Sequence, residues 1–396
     1  MTNILLSVQG TIGDLVMILR IGDILNTRGD SVTLVTHCAY ESLVRQAGLG
    51  FVALDTPDEF QGYIQDVSLC ETPRGNIEFQ RRRVLPMSER EAALLSERAD
   101  PDTILIGSHL FMLGPQLVAE KTGLPLVRMF PGAVNVARLF MFEMMYREVL
   151  AADINAIRAR LGLPPISDWT AWVRYPQGNL GAWPGWFAPP EADWPEWLAL
   201  ALPGFLTMDE LEQGEIPPEL EDFLQSGAPP LLIAGSTGTF LNKKFYAACA
   251  EACRLSDRRG ILVTRFPDAV PDPLPQQVKW FPRLPFASLM PRVAAAIHHG
   301  GLGTVARSIA SGIPQLVLAA GSDRPDNAQR VQRLGVGEYL PPAQWNAERI
   351  AEALERLIHS PAVHERCREM AERMRADDPA AVVRNVVDGV VPKVSL

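Results

Sequence analysis

Two histidines, three glycines and a threonine stand within the seven residues HHGGLGT, from His298 to Thr304. The stretch follows the apolar run AAAI and opens a predicted helix, where backbone amides and a hydroxyl can bind anionic oxygens. Adjacent histidines on a strand point to opposite faces, so only one of them can face a shared site, which argues against zinc. The stretch also lacks the complete G-x-G-x-x-G spacing and the ribose-binding acid of a dinucleotide site. It therefore predicts a metal-free diphosphate site, and for His298 the alternative is a buried structural role.

Two other predicted strand ends carry polar side chains. GSTGT, Gly235–Thr239, directly follows the apolar run LLIA, and its amides and hydroxyls can form an anion site. For this loop alone an ordinary turn of small residues is the favoured interpretation, and a phosphate-facing loop is the alternative. GSDRPDNAQR follows QLVLAA and places Asp323, Asp326 and Asn327 where a helix starts. One such residue suffices as an N-cap, so three of them beside Arg324 indicate acceptors for sugar hydroxyls.

The first predicted strand also ends in polar residues. QGTIGDL places Asp14 directly after this strand, at the edge where the carboxyl ends of parallel strands meet. A carboxylate there can act as a general base toward a bound substrate, and the alternative is an N-cap for a helix predicted over 15–28. Ser108 and His109 follow another strand at the same edge, whereas His37 is predicted to lie away from it.

A frame of strands is needed to bring these stretches together. The first third of the chain alternates short apolar runs with amphipathic stretches, the pattern of a doubly wound parallel sheet that is buried on both faces. The pattern starts again near Pro229. The predicted strands are Ile4–Val8, Ser31–Thr36, Phe51–Leu54, Thr103–Gly107, Leu124–Met129, Leu231–Ala234, Gly260–Thr264, Ala294–His298 and Gln315–Ala319. Two similar α/β domains are therefore expected, with ligands at the carboxyl ends of their strands.

The segment from Leu163 to Pro230 lacks this periodicity and is rich in proline and tryptophan. It contains six of the eight tryptophans, Trp169, Trp172, Trp183, Trp186, Trp194 and Trp197. Large rings that anchor irregular backbone to a core are the favoured interpretation, and the apolar wall of a binding cleft is the alternative. The acidic, proline-containing end of the segment, 203–230, predicts an interdomain linker.

Length, charge and cysteine content exclude several classes of protein. With 396 residues, 47% hydrophobic and 21% charged, the chain is long enough for two globular domains. Its net charge of −9 and its lack of a basic block argue against nucleic acid as a partner. It has no uncharged apolar run of about 18 residues, and MTNILLSVQGTIGDL predicts a first strand rather than a signal peptide. Five scattered cysteines predict reduced thiols in the cytoplasm.

In this order the stretches resemble the family 1 glycosyltransferases, in particular the bacterial macrolide- and sterol-type branch. HHGGLGT followed by PQLVLAAGSDRPDNAQRVQRLGVG is similar to the branch signature HHGG-x-GT…PQ…DQ-P-x-N-A…LG-x-G. NAIRARLGLPP, WFAPPEADWP and FPRLPFASLMPRVAAAIHHGG resemble the subgroup that includes the rhamnolipid rhamnosyltransferase. The resemblance implies the GT-B fold, two facing Rossmann-like domains with a cleft between them. It implies an acceptor domain 1–205, a linker 206–229, a nucleotide-sugar domain 230–378 and a C-terminal helix 379–396 that crosses back to the acceptor domain.

The resemblance also implies inverting transfer from a nucleotide-diphosphate sugar, without a metal or another cofactor. Asp14 matches the aspartate taken as the catalytic base, and we add His109 and Ser108 as catalytic support. Matched position by position, the diphosphate contacts fall on Ser236, Thr237, His299, Gly301, Gly303 and Thr304, and the contacts to the nucleotide base on Arg283 and Leu284. The sugar contacts fall on Asp323 and Arg324, to which we add Asp326 and Asn327 of the same helix start.

Three departures from the family concern the substrates. Arg324 stands where the branch has glutamine, and a guanidinium cannot accept a hydrogen bond. It can bind a phosphate oxygen or a sugar carboxylate, or pair with Asp326. Met17 replaces the family proline three residues after Asp14, and the segment 131–153, which helps to build the acceptor pocket, is shorter than in the rhamnosyltransferase.

We therefore expect transfer to a hydroxyl of a small, largely apolar acceptor such as a natural product or lipid, with a UDP- or dTDP-linked glucose or deoxyhexose as donor. The acceptor pocket is expected around 60–83 and 131–145. A nucleotide-sugar epimerase on the same fold and a non-catalytic auxiliary partner of a glycosyltransferase are the alternatives. The donor nucleotide, a peripheral membrane contact and the choice between monomer and homodimer stay open.

Overall fold

The computed structural model describes residues 1–109, 112–208, 214–235, 241 and 243–390. The chain divides into two compact units, Met1–Leu206 together with Asp378–Leu396, and Thr207–Asp377. Each unit contains a six-stranded parallel sheet with helices around it. The chain thus has the two α/β halves that the repeated strand–helix pattern predicts.

The sheet of the first unit has the strand order β3-β2-β1-β4-β5-β6. Its strands are β1 (Asn3–Ser7), β2 (Ser31–Thr36), β3 (Gly50–Ala53), β4 (Thr103–Ser108), β5 (Leu126–Phe130) and β6 (Gly178–Gly181). Every residue of β4 and β5 is buried, which explains their continuous apolar runs. The order reverses between β1 and β4, so their carboxyl ends flank the position where open α/β sheets bind ligands.

The helices of the first unit connect these strands and cover the sheet. They are α1 (Ile12–Thr27), α2 (Glu41–Gln46), α3 (Pro57–Asp66), α4 (Pro73–Phe79), α5 (Leu85–Ser96), α6 (Leu113–Thr122), α7 (Ala133–Ala137), α8 (Leu139–Met145), α9 (Ala151–Arg160) and α10 (Trp169–Val173). π-helical turns at Gln80–Val84 and Tyr146–Leu150 join α4 to α5 and α8 to α9.

The second unit repeats the arrangement with the strand order β12-β11-β10-β7-β8-β9. Its strands are β7 (Leu231–Ala234), β8 (Gly260–Val263), β9 (Val278–Phe281), β10 (Ala295–His298), β11 (Gln315–Leu318) and β12 (Gly337–Leu340). Its helices are α11 (Pro218–Gln225), α12 (Lys243–Leu255), α13 (Phe286–Leu289), α14 (Leu302–Ala310), α15 (Arg324–Arg333), α16 (Ala347–Ile358) and α17 (Pro361–Ala376). The order reverses between β7 and β10, the strands that lead into GSTGT and HHGGLGT.

Helix α18 (Pro379–Val390) belongs to the first unit although it follows the second in the chain. Its Val383 and Val387 are fully buried. Arg28 at the end of α1 reaches Asp388 at 2.6 Å. The helix therefore completes the apolar cover and part of the charge network of the first unit.

Most predicted elements lie within three residues of the observed ones, and the differences have local causes. The sequence pattern misses β6, β9 and β12, which have four residues each and no strict alternation. The predicted linker 206–229 contains helix α11, whose Leu220 and Leu224 are buried in a core cluster of the second unit.

The tryptophan-rich segment is anchored as the favoured interpretation predicts. Trp183 is fully buried, and its Nε1 donates to Ala188 O at 3.0 Å. Trp172 is buried as well, and its Nε1 donates to Glu120 Oε1 at 2.7 Å. Trp197 is more than one third exposed. Three of the six rings, Trp169, Trp172 and Trp183, are thus buried and anchor this segment to the core.

Candidate active site

The turn after β10 is held by the first of its two histidines. His298 is fully buried, and its Nδ1 accepts a hydrogen bond from Gly300 N at 3.1 Å. Because Nδ1 accepts, Nε2 carries the proton and donates to Gln315 Oε1 at 3.0 Å. Burial lowers the pKa of His298 to about 4. Gly300 has a φ of 91°, a left-handed conformation that favours glycine. His298 therefore has a structural role in shaping the turn.

The second histidine lies on the open side of the same turn. His299 is half-buried, and its buried Nδ1 has no hydrogen-bond partner among the described residues. Burial, the neighbouring His298 and the charge of Arg324 lower the pKa of His299 to about 3. The imidazole is therefore neutral at pH 7 and keeps one nitrogen available as a donor and the other as an acceptor.

The start of α14 follows immediately. Gly301 is its N-cap, and a Cβ at this position would lie 2.7 Å from His299 Nε2. The space around Gly303 is open, since a Cβ there would meet nothing within 4 Å. Thr304 is half-buried in the first turn. The first amides of a helix have no partner within the helix and carry its positive dipole end, so this open start is suited to an anion.

The start of α15 packs against this turn. Asn327 Nδ2 donates to Gly300 O and to Asp323 Oδ2, each at 3.0 Å. Asp323 is the N-cap residue but makes no side-chain capping bond. Asn327 is buried, and its Oδ1 has no partner among the described residues. Capping of α15 thus does not account for these side chains, and Asn327 joins the two loops.

Arg324 and Asp326 at the start of α15 make separate contacts. Arg324 is buried, and its Nε donates to Gly321 O at 3.3 Å. Asp326 pairs with Arg330 at 2.8 Å, an i, i+4 contact within the helix. The sequence left open a pair between Arg324 and Asp326, and the structure instead shows Asp326 on Arg330.

The remaining predicted donor residues lie at other strand ends of this unit. Ser236 and Thr237 fall outside the described residues. Gly235 is described, and a Cβ there would meet Tyr246 Oη and Val263 O, so only glycine fits. Arg283 and Leu284 follow β9 at the sheet edge, where Arg283 is exposed and Leu284 is buried. The structure therefore brings together the β10 and β11 ends and leaves the predicted base contacts apart from them.

Asp14 in the first unit stabilises the start of helix α1, although not as the N-cap that the sequence left open. Helix α1 begins at Ile12, not at residue 15, with Thr11 as the N-cap. Asp14 Oδ2 accepts from Thr11 N at 2.9 Å and from Thr11 Oγ1 at 3.1 Å. A Cβ at Gly10 would lie 2.7 Å from the same oxygen. Asp14 therefore stabilises the helix start while it stands half-buried directly after β1.

His37 was predicted to lie away from this edge, and that prediction is wrong. It is fully buried, and its Nε2 accepts from Gly10 N at 3.3 Å. Its Nδ1 lies 2.6 Å from Asp55 Oδ2, and Cys38 N donates to Asp55 Oδ1 at 2.8 Å. Tyr40 Oη donates to Gly10 O at 3.1 Å. The ends of β2 and β3 thus hold the turn that follows β1.

Ser108 and His109, predicted as catalytic support, are buried at the end of β4. The ring of His109 packs on Phe130 and Phe142, with centroid distances of 4.7 and 4.9 Å. Neither His109 Nε2 nor Ser108 Oγ has a hydrogen-bond partner among the described residues. Burial and the charge of Arg128 lower the pKa of His109 well below its usual value. His109 is thus a neutral imidazole in an aromatic setting.

The sequence reasoning missed a buried carboxyl group beneath β1. Glu91 of α5 is fully buried, and it accepts hydrogen bonds from Ser7 Oγ and, at 2.8 Å, from Gln9 Nε2. Burial raises the pKa of Glu91 to about 7, although these hydrogen bonds oppose the shift. No sequence signal marks this residue, because it stands in the charged stretch SEREAALLSE that is typical of an exposed helix.

Comparisons with known proteins find glycosyltransferases. Residues 263–388 match the family model of the erythromycin biosynthesis protein CIII-like C-terminal domain. The chain is 29% identical to the O-mycaminosyltylonolide 6-deoxyallosyltransferase of Streptomyces fradiae, over 94% of each chain. It is 23% identical to a sterol 3-beta-glucosyltransferase of Candida albicans, over 94% of this chain but only 27% of that longer protein.

Solved structures share the whole fold. The glycosyltransferase of kitacinnamycin covers 98% of this chain and 99% of its own, with 21% identity and a TM-score of 0.76. The glycosyltransferase VinC, solved in complex with dTDP, covers 98% and 99%, with 19% identity and a TM-score of 0.66. The chain has the GT-B fold of the macrolide- and sterol-type glycosyltransferases. The fold and the family resemblance predicted from the sequence are thereby confirmed.

In this GT-B chain the two segments expected around the acceptor lie in contact. Asn76 Nδ2 approaches Met145 Sδ at 3.9 Å. Arg81 donates to Val149 O at 2.9 Å and pairs with Asp153 at 2.9 Å. Three large apolar side chains of α8 are about half or more exposed, Phe140, Met141 and Met144. The segment 60–83 therefore contacts the chain between Met145 and Asp153, which directly follows the exposed apolar side chains of α8.

Metal-binding clusters and membrane-spanning helices are both absent from the described residues. No group of three or more His, Cys, Asp or Glu side chains is placed to hold a metal ion within the described ranges. None of the described helices combines the length and hydrophobicity that a membrane span needs.

Proposed function

We propose that the chain is a metal-independent, inverting glycosyltransferase that moves a sugar from a UDP- or dTDP-linked donor to a hydroxyl of a small, largely apolar acceptor. The observation that carries this proposal is the turn after β10, where a half-buried neutral histidine and an open helix start lie together. The second unit would bind the donor, and the first would bind the acceptor and remove its proton.

The donor half follows from the chemistry of the β10 turn. A diphosphate needs several N–H or O–H donors, which the amides at the start of α14, the Thr304 hydroxyl and one nitrogen of His299 supply. Asp323 is half-buried beside this turn and offers carboxylate oxygens to sugar hydroxyls. Donors that are already in place stabilise the charge that develops on the leaving diphosphate without reorganisation.

The acceptor half follows from the place of Asp14. The acceptor oxygen would form a bond to the anomeric carbon while the bond from that carbon to the diphosphate oxygen breaks. The acceptor proton would pass to Asp14, and the electron pair of the broken bond would leave with the nucleoside diphosphate. A positioned general base contributes roughly 10²–10⁴-fold to such a step.

The test of the activity is a panel of nucleotide sugars. Each UDP- or dTDP-sugar is scored by its effect on the thermal midpoint, and then by nucleotide release with mixed phenolic and aliphatic alcohols. We expect nucleotide release only when both a stabilising donor and an alcohol are present. A donor sugar that isomerises without an alcohol would indicate an epimerase, and stabilisation without turnover would indicate an auxiliary protein.

The test of the base is Asp14→Asn. We expect turnover to fall by roughly 10²–10⁴-fold, with the dissociation constant of the nucleotide unchanged, because asparagine cannot take the proton. Asp23→Asn is the matched control, since Asp23 lies on the same helix and pairs with Arg20 at 2.6 Å. Near-normal turnover of Asp14→Asn would remove Asp14 from this role.

The cellular setting is part of the proposal. All five cysteines are free, which suits the reducing cytoplasm. The exposed apolar side chains of α8 suit an apolar acceptor or a peripheral contact with a membrane that supplies it.

A further inference from the structure

We propose that His37, held in one tautomer by Asp55, is a positioning residue that together with Tyr40 fixes the Gly10 peptide groups and thereby the Asp14 carboxylate. This role rests on the proposed function, because Asp14 is assigned there as the base. His37 lies 27 positions from Gly10 in the sequence, and only the pairing of β1 with β2 brings the two together.

The tautomer of His37 follows from its two neighbours. An ionised carboxylate only accepts hydrogen bonds, so the proton between His37 and Asp55 belongs to Nδ1, which lies 2.6 Å from Asp55 Oδ2. Burial opposes ionisation of Asp55, but the hydrogen bonds from His37 and from Cys38 N hold its pKa below the usual value. Nε2 then presents a lone pair to Gly10 N, as the 3.3 Å contact requires.

A chain of hydrogen bonds connects this pair to Asp14. Tyr40 Oη donates to Gly10 O, and the N–H at the other end of the same peptide group, Thr11 N, donates to Asp14 Oδ2 at 2.9 Å. The same oxygen lies so close to Gly10 that a Cβ there would be 2.7 Å away. A shift of the Gly10 peptide would therefore shift the carboxylate, and aligned hydrogen bonds strengthen one another.

The surroundings of His37 exclude direct contact with a substrate. Both His37 and Asp55 have fully buried side chains. The imidazole is enclosed by Tyr63, Phe60 and Tyr40, whose ring centroids lie 4.5, 5.2 and 5.8 Å from its own. His37 therefore acts through the turn and is not itself a catalytic residue.

The first test replaces His37 by Asn and by Gln, each of which keeps one of its two hydrogen bonds and loses the other. Gln places an oxygen near the Nε2 position and can still accept from Gly10 N, whereas Asn places a donor near Nδ1 and can still bind Asp55. We expect His37→Gln to keep turnover within about fivefold of wild type and His37→Asn to lose about 10²-fold, since misplacement of a reacting group costs this much. Nucleotide affinity should stay unchanged in both. Equal turnover of the two folded variants, or faster turnover of His37→Asn, overturns the role.

The second test is Asp55→Asn, read by nitrogen NMR of the protein labelled at its histidines. The amide donor of the new side chain would face Nδ1, so His37 should move its proton to Nε2 and oppose the Gly10 N–H. We expect the wild type to show the Nδ1–H tautomer and the variant to show Nε2–H with turnover lowered at least tenfold. An Nε2–H tautomer in the wild type overturns the role. This readout needs no substrate, so a wild type that transfers no sugar overturns the proposed function separately.

Two further variants separate positioning from folding. Tyr40→Phe removes one hydroxyl and keeps the ring, and we expect turnover to fall about three- to tenfold with an unchanged KM for the donor. Asp30→Asn is the matched control, because Asp30 is also buried and paired, with Arg28 at 2.6 Å, but precedes β2 at the opposite end. It should lower the thermal midpoint and leave turnover within twofold. Loss of turnover in Asp30→Asn that equals the loss in Asp55→Asn overturns the role.

Discussion

The turn after β1 (residues 9–14, the β1 turn) and the turn after β10 (residues 298–304, the β10 turn) are each held by a buried histidine, but from different places in the sequence. In each, a buried histidine accepts a hydrogen bond from a glycine N–H, Gly10 at 3.3 Å and Gly300 at 3.1 Å. His298 stands two residues before its glycine and uses Nδ1, whereas His37 comes from the neighbouring strand and uses Nε2.

The difference between the two turns is one of sequence distance and of charge. The β10 turn is held by its own His298, by the neutral amide of Gln315 on β11 and by the amide of Asn327 on α15. The β1 turn is held by side chains that follow β2 and β3, and the distal partner is the carboxylate of Asp55. The histidine of the β10 turn stands in the turn's own sequence and is visible as part of a motif. The histidine that holds the β1 turn becomes visible only when the sheet is assembled.

We expect the largest effect from alanine at Gly10 and Gly301, the glycines that lie against the proposed functional side chains Asp14 and His299. A Cβ at Gly10 would lie 2.7 Å from Asp14 Oδ2, and a Cβ at Gly301 would lie 2.7 Å from His299 Nε2. We predict that Gly10→Ala lowers turnover about 10²-fold at unchanged nucleotide affinity. Gly301→Ala should weaken nucleotide binding about tenfold with a smaller effect on turnover at saturation. Steady-state kinetics measure turnover, and calorimetric titration measures nucleotide binding. Weaker nucleotide binding in Gly10→Ala, or lower turnover at unchanged nucleotide binding in Gly301→Ala, would contradict the roles proposed for the two turns.

The next effect concerns stability and pH at the β1 turn. Glu91 has a pKa of about 7 in the folded chain, above the usual value of 4.5. Between about pH 4.5 and 7 Glu91 is therefore protonated in the folded state but ionised in the unfolded state. The stability that this proton provides is fully present below about pH 4.5 and is lost as the pH rises to 7. A shift of this size corresponds to about 3 kcal/mol. We predict that Glu91→Gln raises the free energy of unfolding at pH 8 by up to this amount and leaves it nearly unchanged at pH 4.5.

Urea unfolding at the two pH values measures this difference. Glu97→Gln is the matched control, since Glu97 follows the same helix and is exposed. An equal gain for both variants, or no gain for Glu91→Gln at pH 8, would contradict the prediction. His298 of the β10 turn should show the opposite sign, because its pKa of about 4 places its stabilising effect above pH 6.5.

The smallest effect tests the reversed use of the two imidazole nitrogens. At position 298 the acceptor is Nδ1, so Asn and not Gln keeps the bond to Gly300 N. We predict that His298→Asn weakens nucleotide binding about twofold and His298→Gln about tenfold, the reverse of the order expected at position 37. Titration with UDP and dTDP measures the two variants, and the same order of replacements at both positions would show that packing alone matters.

The donor half was the more predictable because its residues are contiguous. HHGGLGT gave the strand end, the helix start and the separate roles of His298 and His299, and the structure places His298 in the buried structural role. Asp326 pairs with Arg330 one helical turn away, as the i, i+4 spacing allows, and its predicted sugar contact remains a prediction. The predicted roles of His299, Asp323 and Asp14 remain predictions.

The supporting residues of the acceptor half were beyond sequence reasoning. Asp55 and Glu91 are polar residues in stretches that resemble exposed segments, and only burial between layers gives them their partners. Strands β6, β9 and β12 were missed because their sequences GNLG, VKWF and GEYL place polar residues or glycine within four positions and form no apolar run. The predicted linker includes α11 because the three apolar residues of this helix, Leu220, Phe223 and Leu224, stand among acids.

Helix α18 has a consequence for the order in which the molecule is made. The first unit contains the earliest residues of the chain and also α18, whose Val383 and Val387 are buried in it. Ribosomes add about 5–20 residues per second, so roughly ten to thirty seconds pass between the synthesis of Leu206 and that of Asp378. During this interval the surface that α18 covers is exposed to water and to chaperones, and the unit that is begun first is finished last.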